Sequence, residues 1–253
     1  MEFEVNLSAL NPTGRFSSRA DNYAEFRPSY PLEIIAYLEK RGILKHDSEI
    51  ADIGSGTGIF SELLLKHTHK VICIEPNEKM REKALKQLAD YEFVQLPVTA
   101  EETGLPGSSI DLITVAQAFH WMHPVRTKKE FNRILKPAGH IALIWNIRLT
   151  TTPFLKAFEN LKLIYGTDYQ ASRMVDEETL NNFFHPSGYH KEVYYHYQLL
   201  PYEALEGQLL STSYVPIEGK EFKEMIDALK KLFDLYQENG MVKIEYNAYL
   251  YVN

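Results

Sequence analysis

The sequence predicts an α/β chain with a mostly parallel sheet and helices on both of its faces. Three observations carry this. Short β-branched or apolar runs alternate with helical apolar faces between residues 31 and 146. A glycine-rich loop stands between a strand-like run and a helix-like one. The chain of 253 residues, 45% apolar and 24% charged, is ordinary globular material with enough length for a large core.

The elements follow in order. Pro31 opens a helix, and Gly42, after Lys40 and Arg41, stops it. Residues 49–53 (EIADI) read as a short strand that runs straight into the glycines, and Ile59, Phe60, Leu63 and Leu64 then recur at helical spacing. Residues 70–75 (KVICIE) form a second strand ended by Pro76. Asn77 is placed as the N-cap of a helix whose apolar face is Met80, Ala84, Leu85 and Leu88. Residues 91–96 and 110–115 are further strands, the latter apolar enough to be buried on both faces. A helix over 124–135 buries Phe131, Ile134 and Leu135; Pro137 and Gly139 end it, and residues 140–146 give a fifth strand.

Beyond that point the alternation breaks. Helices are expected over 153–165, 202–211 and 220–237, and strands over 191–199 and 241–252. In the first of these strands Val193, Tyr195, Tyr197 and Leu199 share one face. The 16 Tyr and 13 Phe concentrate in the two flanks of the alternating core, which predicts packing between cover and sheet and a dry acceptor pocket. We therefore expect one domain over 1–253, with 1–42 as N-terminal cap and first helix, 43–146 as core, 147–240 as cover and 241–253 as final strand.

Composition narrows the function classes. With 27 basic against 34 acidic residues the net charge is −7, which disfavours a broad nucleic-acid surface. The only cysteine, Cys73, allows no internal disulfide, thiolate metal cluster or CxxC chemistry. No apolar run reaches the roughly 18–20 residues of a membrane span, and the acidic opening MEFEVNLSAL is not a secretory signal, so a cytoplasmic chain is expected. His67 and His69, at the end of a helix, read as surface residues, and no metal is expected.

The sharpest motif is Asp52-Ile53-Gly54-Ser55-Gly56-Thr57-Gly58 between a strand and a helix. Glycines there permit a tight turn and close approach of a ligand to main-chain amides. The dinucleotide fingerprint needs a small residue where Ile59 stands, and no P-loop lysine follows. A carboxylate at Asp52 repels phosphate but attracts an ammonium group. Glu75, ending the second strand 17 residues after Gly58, is placed to accept hydrogen bonds from both hydroxyls of a ribose.

On ADIGSGTG, IEPN, AEETGLPGSSIDLITVAQAFHWM and RILKPAGHIALI, the chain resembles the class I S-adenosylmethionine-dependent methyltransferases. FSSRADNYAEFRPSYP and SYVP resemble its small-molecule branch of type 11, which includes trans-aconitate methyltransferase-like proteins. The resemblance implies a Rossmann-like, seven-stranded, mostly parallel sheet with an N-terminal cap and helical insertions near the last strands. It implies S-adenosylmethionine as cofactor and S-adenosylhomocysteine as product.

Residue by residue, it puts Gly54, Ser55, Gly56 and Gly58 around the methionine part, Asp52 toward the amino group and Glu75 on the ribose. Pro76 and Asn77 pack on the adenine, Ala100 and Glu101 read its edge, and Gln117 opens the segment whose carbonyls face the amino group. Tyr23 and Arg27 (with Arg19 as an alternative) fall in the segment that closes over the cofactor; simple helix packing is the competing reading. Methyl transfer needs a base only when the nucleophile arrives protonated, and His120 is the candidate, against a structural histidine; His123 is a weaker one. Tyr30, His120, Trp121, Trp145, Arg148 and Tyr214 are the candidate acceptor pocket, Arg148 for an anionic acceptor unless it is merely solvated. The acceptor is expected to be a small molecule, and the alternative is a cofactor-binding protein without catalysis.

Overall fold

A computed structural model describes residues 25–68, 70–167, 175–212 and 214–253. In chain order its elements are α1 (Leu32–Lys40), β1 (Ile50–Ile53), α2 (Ile59–Leu65), β2 (Val71–Ile74), α3 (Glu78–Gln87), β3 (Val94–Leu96), β4 (Ile110–Ala116), α4 (Pro124–Ile134) and β5 (Leu135–Arg148). There follow α5 (Pro153–Tyr165), α6 (Glu177–Phe184), β6 (His190–Leu200), α7 (Tyr202–Leu210), α8 (Gly219–Tyr236) and β7 (Val242–Val252). The sheet has seven strands in the order β3-β2-β1-β4-β5-β7-β6. The first five are parallel, and β7 runs antiparallel to both β5 and β6. The strand order reverses beside β1, so a crevice opens outside the carboxyl ends of β1 and β4.

Local chemistry explains most boundaries. Asn77 caps α3, its side chain accepting from the Met80 N–H at 3.1 Å. Pro124 and Pro153 occupy first-turn positions, where their missing N–H costs nothing. Thr152 caps α5 and Asp176 caps α6 through bonds to the Leu155 and Thr179 amides. One face of the sheet packs on α1, α2 and the end of α3 through Ile34, Leu38, Phe60, Leu64 and Leu88. The other packs on α4 and α6 through Phe131, Ile134, Leu180 and Phe183. Each such fully buried side chain stabilises the fold by roughly 1.5–3 kcal/mol. A third core joins α5, α7 and α8 to the far ends of β6 and β7 through Phe158, Leu205, Leu229 and Ile244.

The structure departs from the sequence expectations at three points. The fifth strand begins at Leu135, not residue 140, and runs through Pro137 and Gly139. A register shift absorbs the intervening residues: Ile110 pairs with Leu135, while Leu112 pairs with His140. The third strand is shorter than expected, Val94–Leu96. Helix α6 is not expected from the sequence; its eight residues include Asn181-Asn182 between apolar positions, which blurs the helical period. The strand expected over 191–199 forms as β6, an edge strand of the same sheet. Its stripe of Val193, Tyr195, Tyr197 and Leu199 faces solvent, each 45–56% exposed. The Lys243 ammonium lies 4.6 Å from the centre of the Tyr197 ring, and Tyr195 donates to Glu245.

Candidate active site

The glycine loop follows β1 directly. Gly54, Gly56 and Gly58 all have positive φ, at 69°, 56° and 89°, which L side chains resist. The three glycines differ in what surrounds them. A Cβ on Gly54 would stand 2.3 Å from the Ala118 Cβ, and one on Gly58 would stand 2.9 Å from Leu88, so both are fixed by internal packing. A Cβ on Gly56 would meet nothing within 4 Å, and Gly56 lines a cleft of about 910 Å³, part of it open to solvent. The close approach there is to a ligand's space, not to protein.

Glu75 holds the loop from across the cleft. Its two carboxylate oxygens accept from the Gly56 N–H at 3.1 Å and the Asn77 N–H at 2.8 Å. Burial pushes the carboxyl up, while those two amides and Arg81 pull it back. Each oxygen keeps a further lone pair, so the group can still accept from a ligand. Pro76, Asn77, Ala100, Glu101 and Gln117 line the same cleft as Gly54, Gly56 and Glu75. Its apolar wall comes chiefly from Ile53, Met80, Val98 and Met122, none of them a site candidate from the sequence. Alternation along the strands would have exposed only the first of these. Glu101 accepts from the His123 N–H at 2.9 Å, which pins the loop after β3 to the start of α4. Gln117, with φ at 57°, is a strained non-glycine residue at the cleft wall. Its side-chain amide donates to the Asn146 carbonyl at 2.7 Å, tying the cleft to the end of β5.

Other expected site residues lie elsewhere. Asp52 does not line the cleft; it is 1% exposed and sits under the loop, accepting from Ser61 at 2.5 Å and Thr114 at 2.7 Å. Burial raises its carboxyl to about 6 against the pull of those hydroxyls. Ser55 and Gly58 belong to the turn but not to the cleft lining. Trp145 is a correction to the acceptor pocket: it points into the core on the face of α4, 1% exposed, edge-on to Phe119 and Tyr251. Successive residues of β5 face opposite sides, and Trp145 falls on the wrong one. Tyr30 packs edge-on against Phe60, with centroids 5.1 Å apart. Trp121 lines the cleft, whereas its neighbour His120 lies beside it in a 3-10 turn, ring centres 5.0 Å apart. His123 is the N-cap of α4. His67 pairs with Glu39 at 2.8 Å on the surface. Tyr23, Arg19 and His69 fall outside the described residues.

Beyond Gln117 a polar layer continues under the cover. Asn146 donates to the Ser29 carbonyl at 3.1 Å and lies 2.9 Å from the His196 Nε2. Tyr246 and Gln208 share a hydrogen bond at 2.9 Å, and Arg27 donates to the Ser211 carbonyl at 3.4 Å. Arg148 and Tyr214 stand in this layer, where Arg148 and Glu159 act on the buried Tyr214 hydroxyl; His196, Gln208, Glu159 and Lys162 are further members that no local pattern announces. Among the described residues no three His, Cys, Asp or Glu side chains are grouped to hold a metal, and no helix is long and apolar enough to cross a membrane.

Comparison with known proteins follows the same outline. Residues 51–143 match the methyltransferase domain family. The chain is 35% identical over 133 residues to an uncharacterised methyltransferase of Mycobacterium tuberculosis strain H37Rv, covering 53% of this chain and 52% of that protein. It is 27% identical over 167 residues to a candidate S-adenosylmethionine-dependent methyltransferase of Saccharomyces cerevisiae, covering 62% and 56%. The chain thus spans about half the length of the curated relatives it matches. In fold it is similar to a candidate type II methyltransferase from Anaeromyxobacter dehalogenans, with a TM-score of 0.64 and 20% identity over 90% of this chain and 97% of that one. Loop, strand order and family match agree: residues 51–143 are similar to the methyltransferase domain family, on a sheet shared with solved methyltransferase structures.

Proposed function

We propose that this chain transfers a methyl group from S-adenosylmethionine to a small-molecule acceptor bearing an acidic group. The observation that carries the reading is the cleft outside β1, β2 and β4, where Gly56 leaves room for a ligand and Glu75 stands at the end of β2. The residues fit the cofactor. Backbone amides of the Gly54–Gly58 turn suit its methionine part, Glu75 its ribose, and Pro76, Met80 and Val98 a flat adenine whose edge meets Ala100 and Glu101. Asp52 acts from beneath, holding the loop's shape through Ser61 and Thr114 and adding negative potential under the turn. Arg27 and Tyr23 belong to the segment that would close the methionine end.

The bound sulfonium supplies an already activated methyl group. What remains for the protein is alignment and exclusion of water. Gln117, fixed to Asn146, sets the wall between cleft and polar layer. Trp121 covers the mouth, and Arg148 with Tyr214 holds the acceptor. A carboxylate acceptor needs no base; for a protonated nucleophile, His120 is the proton acceptor. The net charge of −7 favours a small acceptor over nucleic acid. Buried Cys73, its thiol pushed up to about 12, stays protonated and unreactive in the core. Calorimetry with S-adenosylmethionine, then assay of S-adenosylhomocysteine formed from pools of organic acids, tests the reading. Release of product with an acid pool is expected. Tight binding with no product across broad pools would mean a cofactor-binding protein without catalysis.

A further inference from the structure

Glu75, Pro76 and Asn77 make the whole turn between β2 and α3, and all three line the cleft. The main chain of this turn has few donors of its own, since Pro76 carries no N–H. On one side the Glu75 N–H donates to the Leu96 carbonyl at 3.2 Å, which fixes the turn to β3. On the other side a side chain does the fixing. Arg81, in the first half of α3, folds back past the helix N-terminus, and its Nη1 donates to the Pro76 carbonyl at 2.8 Å and the Glu75 carbonyl at 3.0 Å. A guanidinium nitrogen of this kind carries two hydrogens, so one atom serves both carbonyls. The base of the side chain is fixed too. The Arg81 N–H donates to the Asn77 carbonyl at 3.1 Å, and the Gln95 amide of β3 donates to the Arg81 carbonyl at 3.3 Å. Helix α3 itself gains nothing from a cation so near its N-terminus, where the dipole opposes it. The arginine fits the turn, not the helix.

We propose that Arg81 is a positioning residue of the nucleoside site: it holds the two carbonyls that set where Glu75 and Pro76 stand, and its charge keeps the Glu75 carboxylate ready to accept from ribose hydroxyls. The inference rests on the cofactor reading above and adds to it a residue outside the cleft wall. The Glu75 oxygens already accept from the Gly56 and Asn77 amides, so only their remaining lone pairs meet a ligand. A small swing of the turn would carry those lone pairs out of line with two hydroxyls at once.

The charges around Glu75 come from two other elements. Burial, the largest effect, raises its carboxyl; the Asn77 and Gly56 amides and then Arg81 on α3 lower it, and Asp52 on β1 adds a smaller upward push. Without the Arg81 charge, burial and Asp52 are less opposed and the carboxyl moves further up. A protonated Glu75 turns one oxygen into a donor and loses acceptor capacity that the ribose uses. Affinity for a nucleoside therefore falls as pH falls, and does so from a higher pH once Arg81 is gone. Asp52, with its carboxyl at about 6, titrates in wild type and variants alike, so the difference between them belongs to Arg81.

The test is calorimetry on the full chain with methylthioadenosine, which carries the ribose and adenine but no amino-acid part, and with its deoxyribose analogue, at about pH 8 and about pH 5.5. Arg81→Met should weaken methylthioadenosine about tenfold at the higher pH. It should lose a further threefold or so relative to wild type at the lower pH, and its preference for ribose over deoxyribose should shrink. Arg81→Lys keeps the charge without the paired donors, so it should recover the wild-type pH profile and only part of the affinity. Wild-type behaviour in Arg81→Met overturns the inference, and so does a loss that is equal at both pH values and for both ligands. Thermal melts show whether each variant is folded. If Arg81→Met is not, Arg81→Lys decides: weakened binding with a wild-type pH profile supports the inference, and unchanged affinity overturns it. Wild type that binds methylthioadenosine through Arg81 but not S-adenosylmethionine would sink the proposed function and leave the nucleoside site standing. Wild type that binds S-adenosylmethionine but not methylthioadenosine at millimolar concentration would do the reverse.

Discussion

The half of the sheet made by β3, β2, β1 and β4 and the half made by β5, β7 and β6 build their polar surfaces from different material. In the first, the cleft is largely main chain: three left-handed glycines, the amides of Gly56 and Asn77, and one carboxylate that ties them together. In the second, the polar layer is side chains that arrive from far apart in sequence, such as Gln208 with Phe26, or Arg27 with Ser211. A surface of backbone amides has few ways to vary and so suits an invariant ligand. A surface of long side chains can be rewritten one residue at a time.

The largest effect should come from filling the backbone half. Gly56→Asp puts a charged side chain into open cleft and should weaken S-adenosylmethionine binding about a thousandfold, ~4 kcal/mol, by calorimetry. Unchanged affinity would remove the cleft from the cofactor site. Next is Asp52, whose burial raises its carboxyl to about 6 from an ordinary 3.8. A raised acid binds its proton more tightly folded than unfolded, so its contribution is fully present below about 4 and is lost as pH rises through about 6. Relative to Asp52→Asn, the wild type should therefore lose on the order of 3 kcal/mol of unfolding free energy between about pH 4 and 7. Urea denaturation across that range should show the slope in the wild type and not in the variant; parallel curves would mean that the carboxyl titrates normally.

The smallest of the three probes the side-chain half. A Cβ on Gly207 would come within 2.1 Å of the Phe26 ring, so Gly207→Ala must push away the segment that carries Arg27. We expect about 2 kcal/mol lost in stability, with S-adenosylmethionine affinity changed by less than about threefold. A large loss of cofactor affinity instead would show that the two halves are not separable.

The same division explains what the sequence made legible. Glycines, a capping Asn77 and a strand-terminal Glu75 act through local geometry, so their spacing was enough to place them. Leu135 to Gly139 deceived because Pro137 and Gly139 resemble a stop, and only the register against Ile110 and Leu112 shows how a strand passes through them. Trp145 deceived because its neighbours Asn146 and Arg148 do reach the polar layer, while the one-residue offset turns the indole into the core. Lys162 and Glu159 carried no signal, since a charged pair near the end of an amphipathic helix normally meets water. That pair became visible only once α5 was packed against β5.

The position of β7 has a consequence for how the molecule comes into being. It follows β5 and β6 in the chain, yet it lies between them and is hydrogen-bonded to both. A ribosome therefore delivers the two outer partners before the strand that joins them. Until Val242–Val252 emerges, β5 and β6 wait with open edges, and the arm bearing Tyr195 and Tyr197 has no sheet to belong to. The parallel strands β1 to β4 pair among themselves without β7, so the half that holds the cleft can assemble on the nascent chain while β6 and β7 are still unjoined.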